Sequence, residues 1–276
     1  MSSTLVARRV ALFAPLLLAS PLRALAGEPD RRPPAPEVSA IQAAEAEARP
    51  LRPAPAAVEI PILVYHHVVP GGGSPVLYVT PSGFEQQLRY LQSNGYQSIS
   101  FADLANCLEY GASLPERPVI LSFDDGWENQ YQYAFPLLQK YGFTGTFYVV
   151  SGYIDHQNFM TTEQLKAMMA AGMVIGGHSH THPALAGIGS GRLKDEVTGS
   201  KAWLEDRLGT VIDTFAYPYG SYSSATVAAV KAAGYRTART VDDGTRAALD
   251  NIATLPAVIF PAYINHYRGN VEVASR

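Results

Sequence analysis

The sequence has a single cysteine, Cys107, among its 276 residues. An intramolecular disulfide is therefore excluded, and so are structural zinc sites that need two or more thiolates. Lysine and arginine form no cluster, and the formal net charge is -3. Without a basic patch to follow a phosphate backbone, the sequence does not indicate a nucleic-acid-binding protein.

The sequence also lacks an apolar run long enough for a stable membrane span. Arg8 and Arg9 precede an apolar stretch at 10–19, which is shorter than the roughly 20 residues that a spanning helix needs. The sequence Ala-Leu-Ala at 24–26 has the small-x-small pattern of a cleavage site. We therefore expect residues 1–26 to be a signal peptide for export to the periplasm or the medium of a bacterium. An uncleaved membrane anchor is the alternative.

The next segment, 27–57, is rich in proline and alanine. Proline at this density resists regular packing, so we predict a linker there and a single catalytic domain at 58–276. Within that domain, short apolar runs such as 60–65 and 118–123 alternate with helical patterns that end at glycine. This alternation predicts parallel strands joined by crossover helices. About seven such units favour an α/β fold of the distorted (β/α) barrel type.

Four of the predicted strands end in polar or ionisable residues. Functional groups gather at the carboxyl ends of strands in parallel α/β folds, so these four ends are the candidate site. They carry His66 and His67, Asp124 and Asp125, the run His178, His180 and His182, and the segment Tyr217-Pro218-Tyr219-Gly220.

The residue types at two of these ends favour a catalytic metal. His178 and His182 are four residues apart, and two imidazoles with one carboxylate leave coordination positions open for water and substrate. In an extended loop His180 would share their face, so spacing alone leaves the choice of ligands open. Asp-Asp-Gly is also good turn chemistry. The same donor set is typical of non-haem iron oxygenases, but the second carboxylate at Asp124 favours hydrolysis, which needs a base.

The segments PILVYHH, LSFDDGW, TGTFYVV, GGHSHTHPAL and FAYPYG, in this order, resemble the polysaccharide deacetylase family, also called carbohydrate esterase family four. The resemblance covers residues 61–238 and implies a distorted barrel with one divalent cation, often zinc. It also implies a role for each matching residue. The metal ligands are Asp125, His178 and His182, with His180 as a non-ligand; the catalytic base is Asp124; and the backbone N–H of Tyr219 contributes to the oxyanion hole.

Two arginines of the family pattern are replaced here, by Ala216 and by Ala257. We expect Asp124 to be less well oriented as a result. These replacements support one alternative, a catalytically impaired carbohydrate-binding protein. Residues after 238 match poorly, and we assign them no role.

The usual late histidine that serves as the catalytic acid is also missing. Members that act on poly-beta-1,6-N-acetylglucosamine resemble this sequence more closely, and their acid comes from a Tyr-His pair that matches Tyr65 and His66. We therefore rank the candidate acids as His66, His266 and then His67. A core histidine bonded to the backbone is the structural alternative for His66.

The sequence thus predicts an exported, metal-dependent hydrolase that removes N-acetyl groups from a polysaccharide containing N-acetylglucosamine. An O-acetyl esterase acting on xylan is the alternative within the same chemistry. The expected partner is the polysaccharide itself, with no nucleic acid and no membrane span after processing.

Overall fold

The computed structural model describes residues 53–71, 73–74 and 76–259. The predicted signal peptide, most of the predicted linker and His266 lie outside these residues. In the described part, no helix is both long and apolar enough to cross a membrane.

The strands and helices alternate along the chain. The strands are β1 (Val58–Glu59), β2 (Ile62–Tyr65), β3 (His67–Val68), β4 (Tyr78–Val79), β5 (Gln97–Ser98), β6 (Pro118–Phe123), β7 (Thr146–Val149), β8 (Val174–Gly177), β9 (Thr214–Ala216), β10 (Thr237–Arg239), β11 (Arg246–Ala247) and β12 (Val258–Ile259). The helices are α1 (Pro81–Ser93), α2 (Phe101–Tyr110), α3 (Phe135–Tyr141), α4 (Thr162–Ala170), α5 (Ser190–Lys194), α6 (Ser200–Leu208) and α7 (Ser224–Ala232).

The central sheet confirms the predicted distorted barrel. Its strands are parallel and lie in the spatial order β10, β9, β8, β7, β6, β2, β12. The segment that ends in β12 also reaches β10, because Leu255 forms a parallel bridge with Arg239 while Val258 pairs with Leu63 of β2. This segment therefore lies between β10 and β2 and closes the ring.

The alternation of side chains along the strands places two apolar layers on opposite faces of the sheet. Leu63 and Tyr65 pack into the larger cluster with the helices. Ile62 and Val64 pack into a second cluster that includes Ile120 and Tyr148. Neighbouring residues on one strand thus serve different layers, and the same alternation separates the side chains that follow each strand.

Local signals in the sequence fix most helix ends. Side-chain oxygens of Thr80, Ser100, Thr161 and Ser223 each accept a free backbone N–H in the first turn of α1, α2, α4 and α7. Two helical segments contain a wider turn. The π-helical turn Gln130–Ala134 leads into α3, and the π-helical turn Asp195–Gly199 joins α5 to α6. A π turn accommodates one extra residue, which 3.6-residue periodicity does not reveal.

Candidate active site

The candidate site lies where the parallel strands end. Asp124 and Asp125 follow β6, His178 follows β8, and His66 follows β2, so the barrel brings residues distant in sequence to one edge. This is the edge of an α/β barrel at which side chains from several strand ends meet.

Three of these side chains form a compact group of ligand atoms. Nε2 of His178 and Nε2 of His182 lie 3.5 and 3.2 Å from Oδ1 of Asp125, and 3.2 Å from each other. Nδ1 of His178 is 2.7 Å from the carbonyl oxygen of Ala216. A carbonyl only accepts, so this contact places the proton on Nδ1 and leaves the Nε2 lone pair facing Asp125. The donor set and its orientation fit a divalent cation such as zinc.

The second oxygen of Asp125 is held separately. The indole Nε1 of Trp127 donates to Oδ2 of Asp125 at 2.9 Å. The Trp127 ring stacks on Phe159 and contacts His67, with ring centroids 4.4 and 4.5 Å apart. This packing fixes the indole, and the carboxylate therefore presents Oδ1 to the two imidazoles.

His180 does not join this group. Its Nδ1 lies 2.8 Å from the hydroxyl oxygen of Ser151, and its backbone carbonyl accepts from the N–H of Gly152. The loop that carries the histidines is not extended, since Ser179 and His182 both have positive φ values, 65° and 60°. The alternation expected for an extended loop therefore fails, and His180 points to a different neighbour.

Backbone strain is concentrated around the site. Asp125, His182 and Tyr219 have φ values of 74°, 60° and 57°, in the left-handed region that side chains other than glycine seldom adopt. Such residues cost about 1–3 kcal/mol each and persist only where their surroundings hold them. All three are candidate site residues, so their surroundings must hold the backbone of the candidate site in this conformation.

Asp124 lies in a different environment from its neighbour. It is 3% exposed, and its Oδ1 accepts from the guanidinium of Arg239, which is fully buried. The expectation that Asp124 would lack an arginine to orient it is therefore wrong. Arg239 stands on β10 directly beside Ala216 of β9 in the strand register, so a neighbouring strand supplies the charge that position 216 lacks. From the sequence alone, residues after 238 have no assigned role. The contact of Arg239 with Asp124 corrects this.

The two histidines after β2 face different neighbours. Nε2 of His66 is 3.8 Å from Oδ2 of Asp124. The ring of His67 stacks on Tyr78 at 4.4 Å, and its Nδ1 lies 3.1 Å from the side-chain nitrogen of Asn129. Of the candidate acids in the described residues, His66 is thus the one beside Asp124. Its Nδ1 has no hydrogen-bond partner within the described part of the chain, so the imidazole is not fixed to the backbone there.

Tyr219 lies at the open side of the site. Its side chain is 69% exposed, and its ring centroid is 4.6 Å from that of His182. The 3₁₀ turn Pro218–Gly220 that carries it follows β9. The turn therefore places the Tyr219 backbone next to the ligand group.

Burial and neighbouring groups shift the pKa values of three site residues, Asp124, Asp125 and His66. Burial raises the pKa of Asp124, but the positive charge of Arg239 is the largest opposing influence, and this pKa lies below its ordinary value. Burial likewise opposes ionisation of Asp125, but the neighbouring imidazoles of His178 and His182 outweigh burial and hold its pKa far below the ordinary value. Burial lowers the pKa of His66 more than the carboxylate of Asp124 raises it. Both carboxylates are therefore ionised at neutral pH.

Residues 111–238 match the family model described as polysaccharide deacetylase. A Bacillus subtilis protein assigned to the polysaccharide deacetylases is 31% identical over 186 residues, which span 67% of this chain and 66% of the relative. The chain contains a polysaccharide deacetylase domain. The matched region spans less than two thirds of this relative's length. The same is true of the Staphylococcus aureus relative described next.

Two further comparisons bear on substrate and fold. A poly-beta-1,6-N-acetyl-D-glucosamine N-deacetylase of Staphylococcus aureus is 26% identical over 172 residues, 57% of this chain and 59% of that protein. The structure of a Streptococcus pyogenes deacetylase in complex with acetate superposes with a TM-score of 0.73 and 27% identity, covering 79% of this chain and 99% of that one. This family fold is the distorted barrel described above.

Proposed function

We propose that this protein is a hydrolase that removes N-acetyl groups from a polysaccharide containing N-acetylglucosamine. The observation that supports the proposal is that two adjacent carboxylates contact different groups. Asp125 faces the two imidazoles, and Asp124 is held beside them by Arg239. The name of the Staphylococcus aureus relative supports the amide substrate, and the acetate in the Streptococcus pyogenes structure supports the product.

The role of each residue follows from its neighbours. A divalent cation held by Asp125, His178 and His182 would polarise the acetamide carbonyl and lower the pKa of the attacking water. Asp124 is the base that accepts a proton from this water, because it is ionised and free of the ligand group. Arg239 keeps the Asp124 carboxylate in place.

The remaining two roles concern the departing amine and the oxyanion. His66 lies 3.8 Å from Asp124, so its imidazole can receive the proton that Asp124 takes from water and then donate it to the leaving amine. The backbone N–H of Tyr219 donates to the oxyanion that forms when water adds to the acetamide carbon. The acid and the oxyanion donor thus come from β2 and from the turn after β9, on either side of the carboxylates.

A screen for acetate release tests this function. The zinc-loaded protein is incubated with N-acetylglucosamine oligomers of β-1,6 and β-1,4 linkage, peptidoglycan and acetylated xylan, with Asp124→Asn as the matched control. We expect release from an N-acetylated oligomer and none from the variant. Release from xylan alone would make the protein an O-acetyl esterase, and no release from any substrate would support a binding protein. The buried Arg239 removes the argument for that last case, which rested on missing arginines.

We also propose that the protein is exported. The basic pair at 8–9, the apolar stretch at 10–19 and the Ala-Leu-Ala sequence at 24–26 support a cleaved signal peptide. N-terminal sequencing of the protein recovered from periplasm and medium tests this, with a new terminus at Gly27 expected.

A further inference from the structure

Two π-helical turns lie next to the site, and each directs one buried polar side chain at a loop that carries site residues. Gln130 opens the first turn and is 0% exposed. Glu196 lies in the second and is 3% exposed. Neither side chain bonds to a side chain of the proposed ligands, base or acid. Instead, Gln130 and Glu196 bond to the backbone of the loops that carry the proposed ligands, base and acid. Wide turns of this type occur often at functional sites.

Glu196 forms hydrogen bonds with the histidine loop, residues 178–182. Its Oε2 accepts from the backbone N–H groups of His180 and Thr181 at 2.9 and 2.8 Å, and its Oε1 accepts from the Thr181 hydroxyl. The two residues it holds stand between Ser179 and His182, the two strained residues of the loop. Burial raises the pKa of Glu196, but these hydrogen bonds outweigh burial and keep the carboxylate ionised. The charged acceptor makes the bonds strong.

Gln130 joins two strand ends. Its amide Nε2 donates to the backbone carbonyls of His66, at 2.8 Å, and of Asp124, at 2.5 Å. Carbonyl oxygens only accept, so the amide orientation is set by these two bonds. One side chain thus connects the end of β2 with the end of β6, at the residues that face each other across 3.8 Å.

We propose that Glu196 and Gln130 are positioning residues that hold separate halves of the site, Glu196 the metal ligands of the histidine loop and Gln130 the base and the acid. The roles of the two halves rest on the proposed function. The division itself rests on the contacts, because no hydrogen bond of Glu196 in the described chain reaches the loop after β6 and none of Gln130 reaches the histidine loop.

The first experiment measures zinc affinity of the metal-free protein by competition with a chromophoric chelator. Glu196→Ala leaves two backbone N–H groups of a strained loop without their acceptor, and we expect affinity to fall about tenfold to a hundredfold. Glu196→Gln retains one oxygen for both N–H groups and should recover most of the affinity. The control is Glu205→Ala, which removes a carboxylate bonded to the backbone N–H of Ile212 farther along the same helix. It should leave affinity unchanged.

Wild-type zinc affinity in folded Glu196→Ala would overturn the role of Glu196. If that variant does not fold, as judged by circular dichroism, Thr181→Val replaces it, since it removes one of the donors to Glu196 and leaves the rest. Unchanged affinity in Thr181→Val would then overturn the role equally.

The second experiment separates the other half. Gln130→Met keeps the side-chain length but removes both donors. We expect zinc affinity within about twofold of wild type, with kcat for deacetylation lowered about tenfold or more and KM little changed. Gln92→Met is the control, because Gln92 also donates from its amide to a backbone carbonyl, that of Tyr141, on the exposed side of α1. A Gln130→Met variant that loses zinc affinity, or keeps wild-type kcat, would contradict the division.

These outcomes are independent of the substrate screen. A protein that binds zinc and releases no acetate would disprove the deacetylase function while the zinc affinities still decide the role of Glu196. If the Glu196→Ala variant deacetylates normally and its zinc affinity is unchanged, the proposed role of Glu196 is disproved. The deacetylase function would still stand.

Discussion

Asp124 and Asp125 are neighbours in sequence but differ in almost every contact. Asp124 is closed off from solvent, paired with a buried arginine and faced by one histidine at 3.8 Å. Asp125 is partly exposed, has a left-handed backbone and is faced by two imidazole nitrogens and an indole N–H. One strand end therefore supplies two carboxylates of opposite environment. Because both residues are aspartates, the difference between their environments comes from the residues that contact them.

The largest effect should come from the partly exposed carboxylate. Asp125→Ala removes the only carboxylate of the ligand group in the described residues, and we expect loss of bound zinc together with all measurable deacetylation. Metal analysis of the purified variant is the measurement. His180→Ala is the matched control, because His180 bonds to Ser151 rather than to the group, and it should retain zinc. Zinc loss in His180→Ala equal to that in His182→Ala would mean that the ligands are assigned wrongly.

The buried carboxylate should behave in the opposite way. Asp124→Asn preserves shape but not basicity, so zinc content should stay at the wild-type level while turnover falls about 10²–10⁴-fold. Parallel assays of metal content and acetate release check this. Turnover close to wild type in the variant would remove Asp124 from the proton transfer.

The next largest effect is expected at His66, which faces Asp124 and not Asp125. An amine leaves only with a proton, whereas an alkoxide needs less help from an acid. His66→Ala should therefore slow amide hydrolysis about 10²-fold or more, slow ester hydrolysis less, and retain zinc. The amide-to-ester rate ratio is the measurement, with His67→Ala as the control because His67 is stacked against Tyr78. An unchanged ratio in His66→Ala combined with a changed ratio in His266→Ala would transfer the acid role to His266.

Arg239 should have the smallest kinetic effect but a distinct pH signature. The pKa of Asp124 lies below its ordinary value in the folded protein, so its carboxylate contributes stability above that ordinary value, which is lost as the pH falls through the lowered pKa. In Arg239→Met, the largest influence opposing burial is lost, so we expect this pKa to rise. Activity should then fall at a higher pH on the acidic side than in wild type.

The pH profile of kcat/KM measures this effect, with Arg239→Lys as the charge-preserving control. Because Arg239 is fully buried against a carboxylate, its removal should also lower the free energy of unfolding by about 3–5 kcal/mol, which denaturant titration would detect. An identical acidic limb in Arg239→Met would show that Arg239 does not act through Asp124.

The sequence was sufficient to predict the barrel and the strand ends that meet at the site. Apolar runs alternating with glycine-terminated helices are a local pattern, and parallel strands necessarily bring their carboxyl ends to one edge. The pattern also predicted that two histidines four apart would lie near a carboxylate, and the structure places them within reach of Asp125. The assignment of each residue to its catalytic role remains a prediction.

Other features were not visible in the sequence, because they depend on contacts over long sequence distances. Arg239 pairs with Asp124 across 115 residues, and a single arginine at a strand end carries no local mark of such a pairing. Its position beside Ala216 follows only from the strand register. The wide turns at Gln130 and Glu196 interrupt helices whose apolar pattern continues through them, so periodicity could not show them.

Closure of the barrel by the segment that ends at Ile259 has a consequence for biosynthesis. Its partner strands β2 and β10 leave the ribosome earlier, and β2 is the first strand of the ring to emerge. Until residues 255–259 follow, the edges of both strands stay unpaired, and unpaired edges invite association with other chains. The nascent polypeptide is therefore expected to remain a client for chaperones until almost the whole domain has been made.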